Sequence, residues 1–158
     1  MKWYTIIICM LSSVLSMATN NYKDFNFIIC VDENIIESIV RPSIVIQKGD
    51  EVIKNVEVSY IPGKLSMNTD DYVLLSTEGD ASLFLSFYYY EYSSTGKQKM
   101  YNYKIEIGKN LFTLSYVIFY IYNLDKKKYK KKLKPLSKDQ NYTFDLSTSN
   151  GQMIRVRN

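Results

Sequence analysis

Residues 87–107 read FYYYEYSSTGKQKMYNYKIEI, which is two runs of β-favouring residues joined by the segment Ser-Ser-Thr-Gly. In the second run, Asn102, Lys104 and Glu106 alternate with Tyr and Ile. This period of two is that of a strand with one buried face. The segment between the runs has the composition and length of a hairpin connection. The stretch therefore predicts a β-hairpin of two amphipathic strands.

The same signals recur along the rest of the chain. Three further segments alternate with period two, and two continuous apolar runs predict central strands covered on both faces. Glycine-containing pairs between runs predict two more hairpins. In order, these segments are residues 55–60, 141–146 and 154–157, the runs 25–31 and 112–122, and the turns Gly49-Asp50 and Asn150-Gly151. About seven to nine strands with frequent turns predict an all-β antiparallel sandwich.

One local motif refines the predicted architecture. Leu136 lies six residues before Tyr142 at the entry to a strand, which is the spacing of a tyrosine corner. The segment resembles the penultimate strand of a fibronectin-type or related immunoglobulin-like sandwich. The resemblance implies that the Tyr142 hydroxyl bonds to backbone upstream. It covers about the last 25 residues and lacks the two cysteines and core tryptophan of a true immunoglobulin domain, so it predicts the architecture and no family.

Residues 32–41 are the exception to the strand pattern. Ile35, Ile36 and Ile39 recur at helical spacing, between a candidate cap at Asp32 and a stop at Pro42. The segment fits a short helix near residues 33–41 and an extended crossover equally well. No other segment has the pattern of a long helix.

The first 18 residues predict an export signal. Lys2 supplies the positive start, an apolar run covers residues 4–15, and Ser16-Met17-Ala18 has small residues at alternate positions for cleavage. The run is shorter than the roughly 20 apolar residues that span a bilayer. We therefore expect a secreted or periplasmic protein with one domain over residues 19–158.

The composition argues against catalysis and against a metal or cofactor. The chain has no histidine, which excludes Ser-His-Asp and Cys-His pairs and an imidazole zinc site. Cys30 lies in an apolar run, where we expect a buried and inert thiol. The acidic residues at 70, 71, 78 and 80 do not reproduce the spacing of a calcium loop, and their Thr, Ser and Gly neighbours favour a solvated loop.

A cluster of basic residues is the most prominent exposed feature. Residues 126–134 read KKKYKKKLK and hold seven lysines, whereas the formal net charge of the whole chain is +4. The remainder is therefore acidic, and we expect no general nucleic-acid binder. The favoured interpretation places the lysines on an edge strand or hairpin, where they prevent sheets from pairing. The alternative is an anion-binding patch. Its candidate contacts are Lys126, Lys127, Lys128, Tyr129, Lys130, Lys131 and Lys132.

The aromatic run at residues 87–92 supplies a second candidate surface. Alternation places Phe87 and Tyr89 on one face of the strand and Tyr88, Tyr90 and Tyr92 on the other. Exposed tyrosines are good anchors for protein partners because they bury a large area at low entropic cost. The alternative is that both faces are buried, one in the core and one beneath a loop.

These observations predict a non-catalytic, exported binding module for protein recognition or adhesion. Its expected partner is another protein, with an anionic glycan or a membrane surface as the second choice, and no nucleic acid. The alternatives are a secreted inhibitor or effector, and a binder of anionic glycans or lipids through residues 126–134. Asn141 also heads a glycosylation acceptor, Asn-Tyr-Thr, which matters only in a eukaryotic secretory pathway.

Overall fold

Strands make up more than half of the residues that the structure describes, as the alternating pattern predicts. The computed structural model describes residues 21–77, 79–151 and 153–155, and within them twelve strands form three sheets. Two α-helices and one 3-10 helix, Lys109–Thr113, complete the described elements. The strands are β1 Tyr22–Phe25, β2 Phe27–Val31, β3 Asn34–Ile35, β4 Val40–Lys48, β5 Glu51–Glu57, β6 Ser59–Ile61, β7 Lys64–Asn68, β8 Ser82–Tyr92, β9 Gln98–Ile107, β10 Val117–Asn123, β11 Tyr142–Thr148 and β12 Met153–Arg155, and the helices are α1 Thr69–Thr77 and α2 Lys127–Lys130.

The strands are grouped by hydrogen bonding into sheets of four, five and three. The four-stranded sheet has the order β5-β4-β8-β9, the five-stranded sheet β12-β11-β10-β2-β3, and the small sheet β1-β7-β6. All pairs are antiparallel except β2 with β10. The predicted hairpins at residues 49–50, 93–96 and 150–151 are confirmed. Gly49 and Gly151 have φ values of 60° and 75°, a backbone conformation that a glycine adopts without steric cost.

The core lies between the inward faces of the two larger sheets. Leu85 and Phe87 of the four-stranded sheet are completely buried, as are Ile29, Phe119 and Ile121 of the five-stranded sheet. Each buried side chain of this size stabilises the fold by about 1.5–3 kcal/mol relative to its exposure to water. The open sheets fit a β-sandwich.

Helix α1 shows that the prediction of a solvated loop at Asp70 and Asp71 was wrong. The Asp70 backbone N–H donates to the side chain of Asn68 at 2.9 Å, which caps the helix start. Both carboxylates lie in the first turn, where the helix dipole favours negative charge. Tyr72 then packs on Phe25 with ring centroids 5.4 Å apart, so the helix covers the small sheet.

Of the two alternatives for residues 33–41, the extended crossover is confirmed and the short helix is wrong. Asp32 and Glu33 have φ values of 52° and 75°, so they form a tight turn between β2 and β3 and cannot begin a right-handed helix. The chain then stays extended, and the Ile36 N–H donates to the Ile29 carbonyl at 3.0 Å. The apolar run 112–122 likewise divides into the end of the 3-10 helix and β10, which is a central strand between β11 and β2.

The tyrosine corner predicted from Leu136 and Tyr142 was wrong, although the Tyr142 hydroxyl does bond to backbone upstream, at Lys104 of β9. The Tyr142 hydroxyl donates to the carbonyl of Lys104 at 2.6 Å and accepts from its N–H at 2.8 Å. The ring lies edge-on against Tyr103 with centroids 5.0 Å apart, which aims the hydroxyl across the domain at β9. Because β9 is an edge strand, the backbone N–H and carbonyl of Lys104 have no neighbouring strand to bond, and the Tyr142 hydroxyl pairs with both.

Replacing Tyr142 by Phe tests this contact. We expect the free energy of unfolding to fall by about 1–3 kcal/mol, because the ring still packs while two backbone groups of Lys104 lose their partner. Denaturant unfolding measures the change. The matched control is Tyr116→Phe, at a tyrosine that is 42% exposed, where we expect no change. Equal stability of both variants would contradict a structural role for the Tyr142 hydroxyl.

Candidate functional site

The outer surface of the four-stranded sheet carries the candidate site. As alternation predicts, Phe87 is completely buried, whereas Tyr88 and Tyr90 are half-buried on the opposite face and Tyr92 is 70% exposed. Two apolar neighbours extend this surface: Met100 is 55% exposed and Val40 is 41% exposed. We call the surface the tyrosine face, and its members are Val40, Arg41, Tyr88, Tyr90, Tyr92 and Met100.

The strand register brings the members of the tyrosine face together. In the β8–β9 hairpin, Tyr90 lies opposite Met100, and in the β4–β8 pair Val40 lies opposite Tyr88. Directly opposed side chains on one face of an antiparallel pair are in contact range. The hairpin connection sets the first pairing, so Met100 could have been found from the sequence. The pairing of Val40 could not, because β4 and β8 are far apart in the chain.

Two shallow depressions flank Tyr90. One, of about 350 Å³, is lined by Val40, Arg41, Tyr88, Tyr90 and Met100. The other, of about 420 Å³, lies toward the β2–β3 hairpin and is lined by Ile35, Tyr92 and neighbouring polar residues together with Val40 and Tyr90. Both depressions share Val40 and Tyr90. The surface therefore presents one aromatic ridge between two partly apolar hollows.

Arg41 reaches the tyrosine face through a β-bulge. Between Val40 and Ser43, β4 advances three residues while β8 advances two, so one extra residue is accommodated in β4. Arg41 lies in this bulge and has a φ of 50°, which is a strained backbone conformation for a residue with a large side chain. Arg41 is exposed and makes no ion pair with any carboxylate of the described residues. Sequence analysis missed it because nothing local to the sequence signals a bulge.

A chain of charged groups fixes the strand that carries the tyrosines. Glu91 lies between Tyr90 and Tyr92 and accepts a hydrogen bond from the Lys126 ammonium at 2.5 Å. The same ammonium lies 2.8 Å from Asp32, which is buried in the β2–β3 turn. A cation shared by two carboxylates therefore joins β8 to the five-stranded sheet.

Buried hydrogen bonds continue this connection into the core. Both the backbone N–H and the side-chain amide of Asn123 donate to the Asp32 carboxylate, at 2.9 and 2.8 Å. The Asn123 side-chain oxygen accepts from the Tyr103 hydroxyl at 2.8 Å. Asn123 and Tyr103 are both completely buried. Because unpaired polar groups are costly at such depth, these bonds specify how the sheets face one another.

The ionisation of this network follows from its contacts. The hydrogen bond from Lys126 holds the pKa of Glu91 below its usual value of 4.5. Burial alone would lower the pKa of Lys126, but hydrogen bonds with Asp32 and Glu91 outweigh burial, so the pKa is raised. Burial, reinforced by hydrogen bonds to Glu91 and Asp125, raises the pKa of the Tyr101 hydroxyl. Glu91 and Lys126 are therefore charged and paired across the neutral range, whereas the Tyr101 hydroxyl stays neutral.

The lysine cluster is not an edge strand or hairpin, so the favoured interpretation of residues 126–134 was wrong. The segment follows β10, which is paired on both sides, and it forms the single helical turn α2. Tyr129 is buried and packs on Tyr122 with ring centroids 5.1 Å apart, which holds the turn against β10. The predicted contacts therefore separate: Lys126 and Tyr129 point into the structure, and the other lysines are exposed.

The remaining candidate groups are the Cys30 thiol, the carboxylates around residues 70–80 and Asn141. Cys30 is buried, and burial raises the pKa of its thiol, as expected for an inert cysteine. Asp71 pairs with Lys54 at 2.7 Å, and Glu78 lies outside the described residues. No group of three acidic, cysteine or histidine side chains that could hold a metal ion occurs in the described part. Asn141 is exposed directly before β11.

Comparisons with known proteins give no relative. No protein-family model matches the chain, no curated protein is similar to it in sequence, and no solved structure matches its fold. Among the described residues, no helix is long and apolar enough to cross a membrane. The export signal predicted at residues 1–18 lies outside the described residues.

The pKa of Glu91 makes a prediction about acid stability. A carboxylate whose pKa is lower in the folded state stabilises the fold above its unfolded pKa, and the effect is lost as pH falls through the folded value. We expect Glu91→Gln to lower the melting temperature by a few degrees at pH 7. The gap to the wild type narrows below pH 4.5, the usual pKa of this carboxyl group, and closes as the pH falls through the lower pKa of the folded state, where the wild type also loses the charge.

Thermal unfolding between about pH 7 and pH 3 measures this gap, since linkage acts across that window. The control is Glu106→Gln, at an exposed carboxylate of β9 that makes no ion pair with the described residues, and its gap should be near zero throughout. A Glu91→Gln gap that did not change with pH would contradict the charged contact with Lys126.

Proposed function

We propose that this chain is an exported, non-catalytic β-sandwich that binds a protein partner through the tyrosine face. One observation carries the proposal: Tyr88, Tyr90 and Tyr92 lie side by side on an outer sheet surface with Met100 and Arg41. Tyr, Met and Arg are the residue types enriched at protein interfaces, and Tyr and Arg are enriched among the residues that dominate binding energy.

The shape of the tyrosine face supports a protein ligand. Tyr90 forms a ridge between two hollows, which suits a partner that inserts side chains on either side of it. Arg41 provides an exposed cation beside the rings without an ion pair from the described residues. A sugar platform is less well supported, since such platforms commonly use tryptophan, and Trp3 of the predicted signal is the single tryptophan of the sequence.

The rigidity of the face favours tight binding. The tyrosines lie on β8, which is paired on both sides by β4 and β9, and Glu91 between them is fixed by Lys126. Side chains on a rigid strand lose less entropy on association than side chains on a mobile loop. The strained backbone of Arg41 adds to this, because such strain persists where the surroundings hold it and is concentrated at functional sites.

The finer features of the proposal are supported by the sequence and by the burial of Cys30. Without the tyrosine corner, the immunoglobulin-like or fibronectin-like type rests only on the number of predicted strands and their frequent turns. The non-catalytic role rests on the absence of histidine together with the burial of Cys30. A secreted inhibitor or effector would use the same face. A stoichiometric complex of nanomolar affinity with one enzyme or host factor would identify that class, whereas a weaker contact with a surface protein would identify an adhesion module.

The double variant Tyr90→Ser, Tyr92→Ser tests the tyrosine face. We expect it to weaken the partner complex at least tenfold, because truncating an interface aromatic commonly costs more than 1 kcal/mol. The partner is first captured from envelope and extracellular extract at high salt and identified, and its affinity is then measured by calorimetry. The matched control is Tyr22→Ser, Tyr116→Ser, which removes two tyrosines that are 60% and 42% exposed elsewhere.

The melting temperatures of both double variants are measured alongside their affinities. The proposal predicts that Tyr90→Ser, Tyr92→Ser melts close to the wild type while the control keeps full affinity. Equal affinity of the two double variants would refute the tyrosine face as the binding surface. A large loss of melting temperature in the first variant would instead assign its side chains to the folded core.

A further inference from the structure

We infer that the exposed lysines of residues 126–134 form a second binding surface, for a linear anionic polysaccharide such as a sulfated glycan. This surface is separate from the tyrosine face in its residues and in its chemistry. The inference begins from a concentration of positive charge that the fold itself does not explain. Edge protection cannot account for these lysines, because β10 before them has a neighbouring strand on each side.

Only two of the seven lysines form ion pairs with the described residues. Lys126 contacts Asp32 and Glu91, and Lys128 lies 3.0 Å from Glu33. The remaining five are exposed and make no ion pair with any carboxylate of the described residues; they are Lys127, Lys130, Lys131, Lys132 and Lys134. We call these five the lysine patch. Like charges held this close repel one another, and a polyanion would remove that repulsion.

The backbone of the lysine patch is ordered around Tyr129. The N–H groups of Lys132 and Leu133 donate to the Tyr129 carbonyl at 2.8 and 2.9 Å, and the Lys130 N–H donates to the Lys126 carbonyl at 3.0 Å. The patch is therefore presented on a short helical turn that is anchored at both ends of α2. Neighbours three or four apart on such a turn point to the same side, so Lys127, Lys130 and Lys131 project together.

The surroundings of the patch favour a polysaccharide over a membrane or a nucleic acid. The segment that carries the patch has no exposed large apolar side chain, since none of those in the described part lies between residues 117 and 151, whereas bilayer insertion and base stacking use such groups. Residues 126–134 contain lysine and no arginine. The segment therefore lacks the planar guanidinium fork that suits phosphate. Flexible point charges without apolar or stacking contacts suit a hydrated chain of sulfate or carboxylate groups.

Replacing Lys130 and Lys131 by Gln tests the patch, with heparin oligosaccharide as the probe. We expect binding at low salt that collapses as salt rises, and a roughly thirtyfold loss of affinity in this double variant, about fivefold for each lysine. The matched control is Lys48→Gln, Lys97→Gln, which removes the same charge from two exposed lysines next to hairpin turns. Melting temperatures of both variants should equal that of the wild type, because all four side chains are exposed.

Each outcome decides the inference. The inference is supported if the patch variant loses heparin affinity while the control variant keeps it. An equal loss of heparin affinity in both variants would show that only net charge matters, and it would overturn the inference. The absence of heparin binding at low salt would overturn the inference as well. Tighter binding to phosphatidylserine vesicles or to duplex DNA than to heparin would overturn the assignment to a polysaccharide. Because the protein partner of the tyrosine face is captured at high salt, failure of one proposal leaves the other intact.

Discussion

Buried hydrogen bonds among Asp32, Asn123 and Tyr103 join the two larger sheets. Apolar burial brings the sheets together, but burial is not directional and would tolerate several relative positions. The hydrogen bonds among these three side chains form in only one relative position of the sheets, because any shift of one sheet leaves a buried donor or acceptor without a partner. The rest of the structure, including both proposed surfaces, depends on this alignment.

Lys126 extends the alignment from the core to the surface. It is the first residue of the lysine cluster, and its ammonium contacts Asp32 below and Glu91 on the strand of the tyrosine face. The Asp32 turn is itself strained, with φ of 52°, and the contacts to its carboxylate offset that cost. One ionic junction therefore fixes β8 and begins the turn that presents the lysine patch, while the two surfaces remain distinct in their ligands.

Local patterns predicted the strands and hairpins, and long-range contacts determined what the sequence could not show. Alternation placed Tyr88 and Tyr90 outside because side-chain direction in a strand is a local property. Arg41 could not be found, since its bulge depends on the pairing of β4 with β8. The spacing of Leu136 and Tyr142 was misleading because Tyr103 directs the Tyr142 hydroxyl to β9. Residues 126–134 were predicted to lie on an edge strand or hairpin, but the packing of Tyr129 on Tyr122 holds them as a helical turn.

A double-mutant cycle on Tyr103→Phe and Asn123→Ala tests the alignment most directly. The two residues belong to opposite sheets and meet through one buried hydrogen bond, so their combined loss should be smaller than the sum of the single losses. We expect a coupling energy of about 1–2 kcal/mol from denaturant unfolding. Additive losses, with a coupling energy near zero, would contradict the conclusion that these polar contacts hold the two sheets in register.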